Sequence, residues 1–274
     1  MNRVIPVFFR KKLSADRTRR YYHPAAMTFH LLSKILCISA MFVVATGCAA
    51  QAVPPSDQWG DQHNSPGAEL TYKETGRMVV LGKTFVTYNL FASGLPADTQ
   101  YTLSSSIIGA TPIKISEVHL NNEGKVLSKL ADPAHSVAEE PALINLAGSK
   151  GEPFQFAIVS ADGQSRAFTR IIPFPFESSA GPCHLSVVQL IPSYAGVLII
   201  VSGLQPNEAL VTEYGSEKKM RKTKDAADAK GTFRAAASTG IKGKRTGIFE
   251  FNVIAQSCKI AVELPWGRGS DKFQ

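Results

Sequence analysis

The densest grouping of reactive side chains in this 274-residue chain is basic. Lys218, Lys219, Arg221, Lys222 and Lys224 fall within seven residues, and Lys242, Lys244 and Arg245 follow closely. Side chains of this kind hold anions, so the chemistry on offer is recognition of phosphate or carboxylate on a lipid or an acidic protein. Only Met220 breaks the first run as an apolar residue, and no aromatic interleaves with it, so stacking on nucleic-acid bases is not indicated.

Catalysis has less to draw on. A hydrolase needs a nucleophile, a base and a group that orients the base. His63, His119, His135 and His184 sit in no recognisable motif, and the G-x-S-x-G, H-E-x-x-H and Walker patterns are absent. Ser216-Glu217-Lys218-Lys219 has the S-x-x-K spacing of a serine nucleophile and lysine base, with Arg245-Thr246-Gly247 as a poor counterpart of K-T-G. That pair works from the start of a buried helix in a large mixed domain, which a short, strand-patterned chain does not build. Glu213, Glu217, Asp225 and Asp228 interleave with Lys and Arg without calcium-loop spacing, which reads as a solvated charged loop. Cys183-His184 is a single step without a second ligand pair. The expectation is a non-enzymatic protein with no metal and no cofactor. The competing reading is a small hydrolase whose site lies between two domains, marked by His119 or His135 beside a carboxylate.

The address of the chain is written near its start. Lys34 is followed by thirteen uncharged residues, Ile35 to Gly47, and then Cys48. The run is too short to span a bilayer and ends in small residues, as the apolar core of a secretory leader does. Ala45-Thr46-Gly47-Cys48 resembles a bacterial lipobox, with Ala45 where Leu is commonest. The resemblance implies cleavage before Cys48 and a lipid on that cysteine. Ala at position 49 rather than Asp implies release to the outer membrane, where the host has one. Ahead of the leader, Met27 followed by Thr-Phe-His-Leu-Leu-Ser-Lys34 makes a conventional start, so the first 26 residues read as an over-extended reading frame. Thr18-Arg19-Arg20-Tyr21-Tyr22 faintly resembles a twin-arginine export motif, but Pro24 and about ten residues part it from the apolar core.

Removing the leader changes the electrostatic picture. Of 30 basic and 22 acidic residues, eight basic and one acidic precede Cys48, so the formal charge falls from +8 to +1. A global pull on polyanions is therefore not supported, although the charge is uneven: residues 49 to 178 carry −4 and residues 179 to 274 carry +5. Residues 48–67, rich in Ala, Pro, Gly and polar side chains, read as a flexible tether in which Trp59 and His63 are incidental.

Beyond the tether the pattern is strand after strand. Val86, Tyr88, Leu90 and Ala92 share one face of a period-two stretch, Phe154, Phe156 and Ile158 share another, and Ile113 and Ile115 alternate with polar neighbours. Asn121-Asn122-Glu123-Gly124 and Asp162-Gly163 supply turns, and residues 168–174 return as a strand. The second half then repeats the first. Leu90 to Pro96 matches Ile199 to Pro206, Glu123-Gly124-Lys125-Val126 matches Lys230-Gly231-Thr232-Phe233, Phe154-Gln155-Phe156 matches Phe249-Glu250-Phe251, and Ile171 to Phe174 matches Glu263 to Trp266. The matches keep their order while the offset shrinks, as in a duplication whose second copy has shorter loops.

Two copies of about a hundred residues, each with about seven short strands, predict an all-β chain of tandem immunoglobulin-like or fibronectin type III-like β-sandwiches, over 68–178 and 179–268 with a tail at 269–274. The Ser93-Gly94-Leu95-Pro96 and Ser202-Gly203-Leu204-Gln205-Pro206 turns resemble those of bacterial immunoglobulin-like surface modules; the Cys, Trp, Cys spacing of antibody domains is absent. In an exported chain the two remaining cysteines, Cys183 and Cys258, are expected to pair, joining the starts of first and last strands running side by side in the second sandwich. The basic groups are expected in neighbouring loops of that sandwich. Together these readings describe a lipid-anchored cell-envelope module for binding, adhesion or structural support, held to the membrane by its anchor, with a protein or anionic-lipid partner and no nucleic acid.

Overall fold

The structure, a computed structural model, describes residues 59–129, 139–217 and 219–270. Cys48, His135 and Lys218 lie outside the described residues. The leading segment departs from expectation, because the presumed tether is docked from Trp59 onward. Trp59 is buried against Phe168, and Asn64 and Ser65 accept hydrogen bonds from the backbone N–H groups of Phe168 (2.8 Å) and Arg166 (2.9 Å). An indole and two short polar side chains thus cover a sheet edge that would otherwise meet water.

The first sandwich follows with β1 (Glu69–Val80), β2 (Lys83–Ser93), β3 (Tyr101–Ile107), β4 (Ile113–Leu120), β5 (Val126–Lys129), β6 (Glu139–Pro141), β7 (Leu143–Leu146), β8 (Phe154–Ser160) and β9 (Arg166–Ile171). One sheet has the order β1-β2-β7 and the other β6-β5-β4-β3-β8-β9, with antiparallel pairing throughout. Period-two burial fills the space between them: Val86, Tyr88, Leu90 and Ala92 from β2 meet Tyr101, Leu103, Phe154, Phe156 and Ile158. In β4 Val118 and Leu120 are buried in the core and Ile115 packs partly against it, while Ile113 is exposed.

The second sandwich comprises β10 (Phe176–Ala180), β11 (Cys183–Ile191), β12 (Gly196–Ser202), β13 (Ala209–Ser216), β14 (Lys219–Ala226), β15 (Phe233–Ser238), β16 (Thr246–Ala255) and β17 (Lys259–Gly267). Its sheets are β10-β11-β12-β15 and β14-β13-β16-β17, enclosing a separate core that includes Leu185, Ile199, Phe249, Phe251, Leu264 and Trp266. The strand read across residues 168–174 ends at Ile171, before Pro173, and the chain passes into the second core at Phe176.

The duplication is visible atom by atom. Asn121 accepts hydrogen bonds from the N–H groups of Glu123 and Lys125, and Asp228 accepts the same pair from Lys230 and Thr232. The glycine inside each turn has positive φ, 75° at Gly124 and 70° at Gly231. Each lies so close to a carbonyl that a Cβ would stand 2.2 Å from Ala92 O or 2.1 Å from Leu204 O. The shrinking offset has a place as well: β5, β6 and β7 intervene before β8, whereas β15 alone stands before β16. Pairing corrects the last match by one position. Phe154 faces Ile171 and Phe249 faces Leu264, so the buried Leu264, not the exposed Glu263, is the counterpart of Ile171.

Cys183 and Cys258 form the expected disulfide, with Cα atoms 6.2 Å apart. Its setting differs from expectation: β11 pairs with β10 and β12, while β17 lies at the edge of the opposite sheet. The bond therefore links the two sheets across the core instead of joining neighbouring strands. Beside it, the Glu208 carboxylate accepts hydrogen bonds from the N–H groups of Gln205 and Ser257 and from the Ser257 hydroxyl, which hold it below the usual carboxylate range.

The sandwiches meet at the other end. Tyr194 OH donates to Lys150 O (2.6 Å), as does Gln189 Nε2 (3.1 Å), and Gln189 N donates to Gly151 O (2.8 Å). Burial pushes the Tyr194 phenol well above its ordinary pKa, so it stays a donor at all working pH.

Candidate functional site

One side of the second sandwich is closed and the other is open. On the closed side β10 packs against β17 near the disulfide. On the open side β14 and β15 are the unpaired outer strands of their two sheets. Between them runs a groove with two cavities of about 390 and 240 Å³, both lined by Tyr214.

Register explains what lines the groove. Leu210, Thr212, Tyr214 and Ser216 of β13 face inward, and their partners on β14 are Asp225, Thr223, Arg221 and Lys219. An outer strand therefore turns two cations, a hydroxyl and a carboxylate toward the gap, where an apolar strand would have closed it. Opposite, β15 offers Ala235 and Ala237, too small to fill the space, together with its own backbone. Tyr214 stacks on Phe251 as the floor, with ring centroids 6.0 Å apart. The groove is polar at one end, where Thr212 and Thr223 hydroxyls donate to Asp225 at 2.9 and 2.8 Å, and basic at the other, where Lys219 and Arg221 stand.

The two basic groups of the sequence come to one end of this sandwich by different routes. The first is a strand rather than a loop, because both faces of β14 are solvent-exposed and only pairing with β13 gives it order. Lys219 and Arg221 line the groove. Lys222 and Lys224 share the opposite face, where Lys222 donates to Glu213 at 2.8 Å and lowers that carboxyl's pKa. The second group, Lys242, Lys244 and Arg245, lies in the turn before β16 and is brought near by the ion pair of Lys244 with Glu217. The acidic residues are not a loop cluster either: Glu213 and Glu217 pair with lysines, Asp225 binds two threonines and Asp228 caps a turn.

Ser216 and Lys219 face each other across a hairpin, not along a helix, and Ser216 Oγ donates to Thr239 O at 2.8 Å. His119 lines a cavity of about 410 Å³ with Asp98 and Glu117, formed from residues 97–100 and 117–120 of the first sandwich and not from both. Glu117 there pairs with Lys114. Among the described residues no group of three or more His, Cys, Asp or Glu gathers as a metal site, and no helix is long and apolar enough to cross a membrane. Sequence reasoning found the basic residues but missed Tyr214, Ala235 and Ala237, whose role depends on two outer strands from separate sheets facing each other.

No family model matches the chain, and no curated protein does. Among solved structures it is similar to a tetra-tandem repeat in the extending region of a large adhesion protein, at 10% identity and TM-score 0.24, covering 74% of this chain and 50% of that one. It is also similar to red sea bream transglutaminase, at 12% identity and TM-score 0.23, covering 74% and 31%. The chain thus spans half the length of the first and under a third of the second, and with TM-scores this low neither likeness says what it binds.

Proposed function

We propose that the chain is a non-enzymatic envelope-binding module, anchored by lipid at Cys48, whose second sandwich takes up an extended acidic segment of a partner protein in the groove between β14 and β15. The observation that carries this reading is the pair of facing sheet edges, one supplying free backbone groups and the other Lys219 and Arg221. An extended peptide can add to the β15 edge through its main chain, and every second side chain then points at the β14 wall, where carboxylates meet the two cations. Charge on an outer strand also keeps sheets from pairing edge to edge. Edge protection alone, which inward-pointing charges also serve, predicts no loss of acidic-peptide binding when Lys219 and Arg221 are neutralised.

The test is binding of a fluorescent peptide of alternating Val and Glu to the full chain, read by anisotropy. Lys219→Gln with Arg221→Gln is expected to weaken binding about ten-fold or more and to flatten its salt dependence, while Lys222→Gln on the outer face leaves it unchanged. Equal binding by the double variant and the parent contradicts the reading.

A further inference from the structure

The groove leaves another exposed feature unaccounted for, the far end of the β1–β2 ribbon. β7 supports β2 only between Val86 and Asn89, so the three pairs Met78 with Phe85, Val79 with Thr84 and Val80 with Lys83 project as a two-stranded ribbon with its turn at Leu81 and Gly82. Projecting strands of this kind are marginal in water and normally carry polar tips. This one does the reverse. Val79 is 71% exposed, Leu81 93% and Met78 40%. Val79 lies on one face of the ribbon, Met78 and Phe85 on the other, and Leu81 caps the end. Leu81 also sits at φ 51°, a left-handed conformation that a turn of this type normally gives to Asn, Asp or Gly. The sequence accepts backbone strain to place a large aliphatic side chain at the outermost point.

Apolar groups on both faces and at the tip do not fit a flat protein surface, which would cover one face only. They fit a medium that surrounds the ribbon. Charge points the same way: there is no Asp or Glu from Thr75 to Ala97, and Lys83 stands beside the turn. Arg77 lies one residue behind the apolar group, with Glu74 paired to it at 2.7 Å. We propose that this tip enters the interface of a bilayer bearing anionic headgroups, with Met78, Val79, Leu81 and Phe85 among the acyl chains and Lys83 at the phosphates. Three residue pairs at about 3.3 Å each reach about 10 Å, which matches the depth of an interfacial insertion. In the second copy the matching hairpin, β11 to β12, turns inward instead: its Tyr194 is buried and bonds the first sandwich. The insertion is independent of the groove and of any lipid on Cys48.

The experiment places Val79→Trp in the full chain, which has two native tryptophans, and adds unilamellar phosphatidylglycerol vesicles with or without bromine on the acyl chains. Trp59 and Trp266 are buried, so they form a constant background. The introduced indole should shift to shorter wavelength and be quenched by the brominated lipid, less so in phosphatidylcholine. Adding Met78→Ser and Leu81→Ser should lower the insertion about ten-fold or more without altering circular dichroism. A chain held only by an anchor keeps its tip in water and shows no quenching, which overturns the proposal. So does quenching that the two serines leave intact, or a shift that follows protein concentration in the absence of lipid, the mark of a second copy as the occupant.

Discussion

Cys183→Ala with Cys258→Ala should lower the stability of the second sandwich by about 4 kcal/mol and leave the first sandwich's transition in place. The bond closes 75 residues, and the entropy removed from an unfolded chain by a loop of that size is about 4 kcal/mol. For a domain of about a hundred residues that is a fall in melting temperature on the order of 20 °C. The position of the bond argues for the full value. It joins opposite sheets at the end away from the junction, linking the start of β11 to the β16–β17 turn, which the Glu208 bridge to Ser257 separately ties to the β12–β13 turn. Scanning calorimetry of the parent with and without reductant gives the same comparison free of mutation. A single unchanged transition in both would contradict it.

The second large effect concerns the two turn glycines. Gly124→Ala and Gly231→Ala should each cost about 2 to 4 kcal/mol. A left-handed φ costs a non-glycine residue about 1 kcal/mol, and a Cβ 2.1 to 2.2 Å from a backbone carbonyl oxygen forces the main chain to move. Gly243→Ala is the control, since Gly243 shares the positive φ of 86° but has open space where the Cβ would go. It should cost about 1 kcal/mol. Urea unfolding of the three variants separates crowding from backbone conformation. If all three lose the same amount, the close approach carries no energy and the turns are alike only in outline.

Those glycines also show why the duplication was legible before any coordinates. Gly94 and Gly203 likewise hold positive φ against a backbone carbonyl, at Gly67 and Pro182, so no other residue fits and the motif keeps its letters in both copies. Val86, Tyr88, Leu90 and Ala92 were legible for a different reason, since one buried face imposes a period of two. The run from Lys219 to Ala226 has no such period because neither face is covered, so its strand character comes wholly from pairing with β13. Trp59 was hidden among Pro, Gly and polar residues that resemble a linker; its burial depends on Phe168, more than a hundred positions away. The Leu81 turn escaped notice because the usual hairpin signal is Asn or Asp before Gly, and Leu is the wrong letter for it.

The groove itself could not be read from either half of its wall. Arg221 points inward because it faces Tyr214, and the space beside it is open because β15 carries alanines at 235 and 237. Each fact is local, but their meeting depends on how two sheets are laid over each other.

The most direct test is amide hydrogen exchange of the full chain with and without the alternating Val-Glu peptide. Every second residue of β15 turns its N–H toward the groove, and strand addition protects those amides while leaving the ladder shared with β12 as it was. Slowed exchange confined to residues 233–238 and the facing side of β14 is the expected result. Binding that leaves β15 exchange unchanged would show that the acidic segment only touches the basic surface, and the groove would not be its site.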